Sequence, residues 1–252
     1  MASNRLKILN IWVDAVTRQQ ALQLVQDFIE HGDRPHVVFA SNPEKNFSVP
    51  RDPALYDTFK NADLLLPDGI GMVKAAKIIY GIEINRIPGV EFMGEICRLC
   101  AENGYKVFVY GAKEEVNREA VEVLKTRYPG INIVGRANGY LKEEEMPALV
   151  NRINESGAQV LFLALGSPKQ EQWYVRYRDE LKTVRVCQGI GGSLDAVTGR
   201  VKRAPEFWCR IGLEWFYRLV SEPKRIKRQK VLPIFAFQVL LAAITRRLNK
   251  HQ

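Results

Sequence analysis

The sequence predicts an α/β fold, a doubly wound and mainly parallel sheet with a basic, helical C-terminal appendage. Three observations predict it. Short apolar runs alternate with segments of helical periodicity, polar and glycine-rich residues follow the runs, and the excess of positive charge lies after residue 199. Strands that alternate with helices in this way are typical of βαβ units, whose strands are parallel.

Seven apolar runs are the predicted strands. They cover residues 8–13, 37–40, 64–66, 107–110, 131–134, 160–165 and 184–186. Helical periodicity is found between them, over residues 18–30, 114–128, 143–156 and 168–181. Thr17, three residues before Gln20, predicts a capping box at the start of the first helix. This order of elements indicates a Rossmann-like sheet with helices on both faces.

Composition places the chain among globular proteins, with 46% hydrophobic and 26% charged residues in a length of 252. Residues 1–16 lack the apolar stretch of a secretory signal, so we expect a cytoplasmic protein with reduced thiols. Cys97 and Cys100 have metal-ligand spacing, but neither a second such pair nor paired histidines follow. Because residues 91–102 also have the pattern of an amphipathic helix, we expect no zinc site.

The C-terminal segment differs in charge from the rest of the chain. Residues 1–199 carry 24 Lys and Arg against 25 Asp and Glu, whereas residues 200–252 carry 13 against 3. We therefore expect a catalytic domain over 1–199 and an appendage over 200–252. The apolar run 231–244 is shorter than the roughly 20 residues of a spanning helix. This pattern favours a helix on an anionic membrane surface, and a helix docked on the core is the alternative.

Ligands of doubly wound sheets bind at the carboxyl ends of the strands, where this sequence is polar or glycine-rich. The segments concerned are 41–44, 67–71, 166–171 and 189–193. Glycine-rich turns that lead into helices offer N–H groups to a nucleoside diphosphate, although each could equally be a structural turn. Gly191 and Gly192 lie in such a turn. Neither a dinucleotide fingerprint nor a GxxxxGK[ST] loop is present, so a dehydrogenase or P-loop hydrolase is not indicated.

Asp68 is the predicted general base. It follows the third apolar run, between Pro67 and Gly69, where its carboxylate would face the ligand edge and accept a proton from an attacking hydroxyl. The alternative is a structural role as the N-cap of a helix that continues from Gly71.

The sequence contains no Asp-x-Asp pair, so we expect no divalent metal held on a diphosphate by paired carboxylates. Cationic side chains and helix N-termini would then neutralise the charge of a leaving diphosphate. The cationic candidates are Arg86, Lys169, Arg200, Lys202 and Arg203.

These residues lie in motifs that resemble those of the WecG/TagA/CpsF bacterial glycosyltransferases in order and spacing, over nearly the whole chain. The motifs are Asn42-Pro43-Glu44, Pro67-Asp68-Gly69-Ile70-Gly71, Arg86 followed by Gly89, Gly166-Ser167-Pro168-Lys169-Gln170-Glu171, Gly191-Gly192-Ser193-Leu194-Asp195, Gly199-Arg200-Val201-Lys202-Arg203-Ala204-Pro205 and Gly212-Leu213-Glu214-Trp215.

The resemblance implies an inverting transfer, without metal or cofactor, from a UDP-sugar to undecaprenyl-diphosphate-linked N-acetylglucosamine. The sugar would be N-acetylmannosamine or a relative, and the product would enter teichoic acid or surface polysaccharide synthesis. Asp68 would be the base. The residues implied in substrate binding are Asn42, Arg86 and Gln170 in the pocket, with Lys169, Gly191 and Gly192 beside it, and Arg218, Arg225 and Arg228 of the appendage over the diphosphate.

Three positions depart from the family pattern. Ala40 stands where the family often has Thr, Glu91 where it has Asp, and Ala137-Asn138 where it has paired His. Because these positions lie in the expected pocket region, the donor sugar stays open, and another UDP-hexose is an alternative.

Two further alternatives are non-catalytic, a nucleic-acid binder and a nucleotide-sugar-binding regulator. The cations gather beside an apolar helix instead of spreading over the body, which argues against nucleic acid. The presence of Asp68 argues against a regulator. The sequence leaves homo-oligomer formation open.

Overall fold

The computed structural model describes residues 4–201, 204–205, 207–208, 213–221 and 226–249. Its main sheet has six parallel strands, which are β3 His36–Ser41, β4 Leu64–Pro67, β5 Lys106–Gly111, β6 Asn132–Ala137, β7 Val160–Ala164 and β8 Val186–Gly189. Their order across the sheet is β4-β3-β8-β7-β5-β6. The predicted parallel α/β sheet is therefore confirmed.

The first apolar run is not one strand of this sheet, and that part of the prediction is wrong. It holds an antiparallel hairpin of β1 Arg5–Ile8 and β2 Ile11–Asp14. The turn contains Leu9 at φ 56°, a conformation that a leucine rarely adopts. The residue type at position 9 therefore does not predict a turn. Long-range contacts accompany it, since Asn10 N–H donates to Asn46 Oδ1 at 3.0 Å.

Helices cover both faces of the sheet. They are α1 Arg18–His31, α2 Lys45–Ser48, α3 Pro53–Lys60, α4 Ile70–Tyr80, α5 Gly89–Asn103, α6 Glu114–Arg127, α7 Met146–Glu155, α8 Lys169–Tyr177 and α9 Ser193–Val197. Thr17 and Gln20 form the predicted capping box. One apolar layer contains the inward faces of α1, α5 and α6, and the other contains those of α3, α4 and α7, so the sheet is doubly wound.

The described part of the appendage contains α10 Glu214–Ser221, α11 Ile226–Gln229 and α12 Leu232–Asn249. α12 lies along α4 and buries Phe235, Val239 and Ala243, and the guanidinium of Arg246 lies 4.4 Å from the ring centre of Tyr80. One face of the apolar helix is thus docked on the core.

The opposite face of α12 is apolar and exposed. It carries Ile234, Phe237, Leu240, Leu241, Ile244 and Leu248. Among the described helices, none combines the length and hydropathy required to cross a bilayer. The docked-helix alternative is therefore confirmed for one face of α12, and contact of the other face with a membrane stays a prediction.

Candidate active site

The loops that follow β3 and β4 pack against each other at the carboxyl edge of the sheet. A Cβ atom on Gly71 would lie 2.6 Å from Cγ of Pro43, and one on Gly69 would lie 3.1 Å from Cδ of the same ring. Phe235 of α12 closes the other side, 3.5 Å from that Gly71 position. A side chain at position 71 would collide with the ring of Pro43, so the close contact of the two loops requires glycine there. The contact holds Asn42 and Asp68 on neighbouring strand ends.

Asp68 is half-buried and is held by the backbone around it. Its Oδ1 accepts a hydrogen bond from Gly89 N–H at 2.9 Å, at the start of α5. The N-cap of α4 is Gly69, which makes no side-chain cap, so the predicted N-cap alternative for Asp68 is wrong. Within the described residues, Oδ2 of Asp68 has no hydrogen-bond partner, which leaves one carboxylate oxygen for a ligand.

Arg86 lies beside Asp68. Its Nε donates to the Asp68 carbonyl at 3.0 Å, and its Nη2 forms an ion pair with Glu214 at the start of α10. The two side chains are 24% and 12% exposed. Arg86 therefore connects Glu214 of the appendage to the predicted base, Asp68. Glu214 was not among the site residues predicted from the sequence.

Gln170 is 3% exposed and supports the glycine-rich turn after β8. Its Oε1 accepts from Gly191 N–H at 2.9 Å, and Gly191 has φ +52°. A Cβ atom on Gly189 would lie 2.6 Å from Gln170 Nε2, so that glycine is needed for the approach. Gln170 thus fixes the turn in which Gly191 and Gly192 present their backbone.

Lys45 and Glu171 form a buried ion pair behind Gln170. Lys45 Nζ lies 2.8 Å from Glu171 Oε1, and the side chains are 6% and 1% exposed. The ammonium also lies 5.0 Å from the ring centre of Phe59, and Glu171 Oε1 accepts from Gln170 Nε2 at 3.3 Å. The pair joins α2 to α8 and orients the glutamine that holds the turn.

A model of a known protein family matches this chain and identifies its class. It is described as the "Glycosyl transferase WecG/TagA/CpsF family" and matches residues 6–249. The chain belongs to this family. The resemblance stated from the motifs is thereby confirmed, and the protein is a glycosyltransferase.

Two curated relatives carry the name N-acetylglucosaminyldiphosphoundecaprenol N-acetyl-beta-D-mannosaminyltransferase. The protein of Bacillus subtilis (strain 168) is 35% identical over 204 residues, and that of Bacillus spizizenii (strain ATCC 23059 / NRRL B-14472 / W23) is 37% identical over 203 residues. Each match covers 81% of this chain and 78% of the relative.

The remaining predicted site residues of the glycosyltransferase are placed as follows. Asn42 is half-buried, and its Oδ1 accepts from Lys45 N–H at 3.1 Å. Lys169 is the exposed first residue of α8. Arg200, a predicted clamp residue, instead forms an ion pair with Glu119 of α6.

Several predicted contacts of the glycosyltransferase fall on residues that are not described. Arg225, Lys202 and Arg203 lie outside the described residues, as do the side chains of Arg218 and Arg228. Their predicted contact with a diphosphate stays a prediction.

The departures from the family pattern do not all lie at the site of the glycosyltransferase. Ala40 is close to it, 3.9 Å from a Cβ atom placed on Gly89. Glu91 instead forms an ion pair with Arg18 of α1 at 2.6 Å. Asn138 Oδ1 accepts from Tyr140 N–H, in the loop after β6. Of these departures, Ala40 is therefore the one next to Gly89, whose N–H binds Asp68.

Gln188 near the end of β8 is a residue that sequence reasoning missed. It is buried, and its Nε2 donates to the carbonyl of Gly89, whose N–H holds Asp68. The available signal was a polar residue two positions after the apolar run 184–186, at which the predicted strand had already ended. Cys97 and Cys100 are buried in α5, where burial raises the pKa of the Cys100 thiol to about 12, so they pack as core residues.

Proposed function

We propose that this glycosyltransferase moves a sugar, N-acetylmannosamine or a related hexose, from UDP to N-acetylglucosamine linked to a polyprenyl diphosphate, with inversion. The observation that carries the proposal is the bond from Arg86 Nε to the main-chain carbonyl of Asp68, which places a guanidinium next to a residue with an acidic side chain at the end of β4. The names of the Bacillus relatives support the acceptor and the sugar. Products of this kind serve teichoic acid or surface polysaccharide synthesis.

Asp68 takes the proton from the acceptor hydroxyl while the oxygen of that hydroxyl bonds to C1 of the sugar. The C1–O bond to UDP breaks on the opposite face, so the configuration at C1 inverts. Gly89 N–H fixes Oδ1 of Asp68 and leaves Oδ2 for the proton.

Cationic side chains and backbone N–H groups stabilise the negative charge on the departing UDP. Arg86 lies beside the base, Lys169 is exposed at the start of α8, and Gln170 holds Gly191 and Gly192 in their turn. Preorganised donors of this kind stabilise developing charge without reorganisation. Asn42 borders the same edge, and Arg218, Arg225 and Arg228 of the appendage would close over the diphosphate.

A chelator is expected to leave the activity unchanged. No group of three His, Cys, Asp or Glu side chains that could hold a metal ion occurs among the described residues, and the sequence lacks the usual carboxylate pair. The measurement compares initial rates in EDTA with rates after addition of Mg²⁺ or Mn²⁺. Complete loss in EDTA with recovery on either metal would contradict metal independence.

The exposed face of α12 supports binding to an anionic membrane. Phe237 and Leu241 lie on this face, with exposed cations at Lys230, Arg246 and Arg247 nearby in the sequence. Apolar contact combined with basic residues, each worth about 1 kcal/mol near an anionic surface, gives salt-sensitive peripheral binding. We therefore assign the catalytic site to residues 1–199. We assign contact with the membrane and closure of the active site to residues 200–252.

We expect Phe237→Glu with Leu241→Glu to abolish sedimentation with phosphatidylglycerol vesicles while the protein stays folded, because both side chains are exposed. Asn132→Glu with Asn151→Glu adds the same charge at exposed sites of the body and is expected to keep binding at moderate salt. Equal sedimentation of both double variants would show that α12 does not contact the membrane.

The decisive experiment is a panel of UDP-sugars offered with a lipid-diphosphate-linked N-acetylglucosamine analogue, with the product identified by mass. One donor should yield a disaccharide product with inverted configuration. Binding of a UDP-sugar without turnover for any donor would favour the regulator, and salt-sensitive DNA or RNA binding without turnover would favour the nucleic-acid binder.

A further inference from the structure

We propose that Glu214 is a counter-anion that holds Arg86 before the donor binds and releases it to the diphosphate of the donor. The inference rests on the proposed function, which supplies the anion as a UDP-sugar. It adds an exchange of partners at Arg86, between a carboxylate of the appendage and the ligand.

The geometry of the guanidinium carries the argument. Arg86 donates from Nε to the Asp68 carbonyl and from Nη2 to Glu214. A guanidinium has two edges that hold a phosphate through two parallel N–H groups, Nε with Nη2 and Nη1 with Nη2. Nη2 belongs to both edges. Because Nε donates to the Asp68 carbonyl, the first edge is closed to a bidentate phosphate, and with an N–H of Nη2 bonded to Glu214 the second edge lies next to a competing negative charge.

Electrostatics leads to the same exchange. The side chains of Arg86 and Glu214 are 24% and 12% exposed, so water screens the pair only in part. A diphosphate that arrives at Arg86 would meet a carboxylate at close range, and two anions cannot share one guanidinium without a cost. Before the donor binds, by contrast, Glu214 neutralises Arg86 and keeps it beside Asp68. Displacement of Glu214 would then follow donor binding.

The test is the affinity for UDP of Glu214→Gln, measured by titration calorimetry on the full chain. Glutamine keeps the size of the side chain and an oxygen acceptor for Arg86, but it removes the competing charge. We expect UDP to bind about three- to tenfold more tightly, the gain from losing a partly exposed competing ion pair. A side chain that only supported the fold would give equal or weaker binding.

Three further variants sharpen the result. Glu155→Gln removes one exposed negative charge at the end of α7, and its UDP affinity should equal that of the wild type. Glu214→Asp keeps the charge but shortens its reach, so its affinity should lie between those of the wild type and Glu214→Gln. In an Arg86→Met background, Glu214→Gln should give no gain, since the partner for which it competes is missing.

The outcomes separate the inference from the proposed function. If the wild type binds UDP and neither Glu214 variant binds it more tightly, the counter-anion role is overturned and the proposed function stands. A gain that persists with Arg86→Met would overturn the exchange at Arg86. If the wild type itself does not bind UDP, the proposed function fails and the inference fails with it.

Discussion

Asp68→Asn is expected to lower kcat by about 10² to 10⁴, the range for loss of a general base. The substitution conserves the shape of the side chain, and its oxygen can still accept from Gly89 N–H, which is 2.9 Å from Oδ1. Fold, thermal stability and UDP affinity should therefore stay close to wild type. Single-turnover rates with a lipid-diphosphate-linked acceptor measure the effect on the chemical step.

Asp179→Asn is the matched control, because that carboxylate is 89% exposed next to the short turn after α8. It should leave kcat unchanged. Near-normal turnover of Asp68→Asn would remove Asp68 from the base role and reduce it to the residue that anchors the start of α5.

Lys45→Met is expected to lower the free energy of unfolding by about 3 to 5 kcal/mol, the usual cost of leaving one partner of a buried ion pair uncompensated. Glu171 would lose its cation while only 1% exposed, and its Oε2 already has no partner among the described residues. Urea unfolding followed by circular dichroism provides the measurement. The activity should fall as well, because Glu171 contacts Gln170, which holds the glycine-rich turn.

Two comparisons show whether the cost comes from an unpaired buried charge. Lys77→Met breaks the exposed pair with Glu83 and should change stability little. Lys45→Met combined with Glu171→Met removes both charges and should recover much of the loss. If the double variant is less stable than Lys45→Met alone, Glu171 stabilises the fold through its contact with Gln170 and not through the ion pair.

The sheet was predictable because its signals are local. Each strand of the main sheet overlaps one of the predicted apolar runs, and the residues directly after β3, β4 and β7 are Asn42, Asp68 and the loop leading to Gln170. Once the strands are parallel, these positions share one edge. The hairpin of β1 and β2 was missed for the same reason, since Leu9 has none of the properties of a turn residue and its conformation depends on tertiary contacts.

The supporting contacts of the site could not be predicted, because they join residues far apart in the chain. Arg86 and Glu214 are 128 positions apart, and Gln188 and Gly89 are 99 apart. Lys45 sits in a short helix with the composition of a surface element, so nothing nearby indicates that its ammonium is buried. The types of these residues were visible, whereas their partners depended on the fold.

The contact of Phe235 with Gly71 ties α12 to the loop that carries Asp68. If α12 lies on the bilayer as proposed, α4 acts as a rigid spacer between the lipid surface and the base, since packed helices shift little against each other. The site would then have a fixed height above the headgroups. An acceptor whose sugar is attached to the lipid through one phosphate instead of two would hold that sugar at a different height relative to Asp68, so the length of the acceptor would matter as well as its sugar.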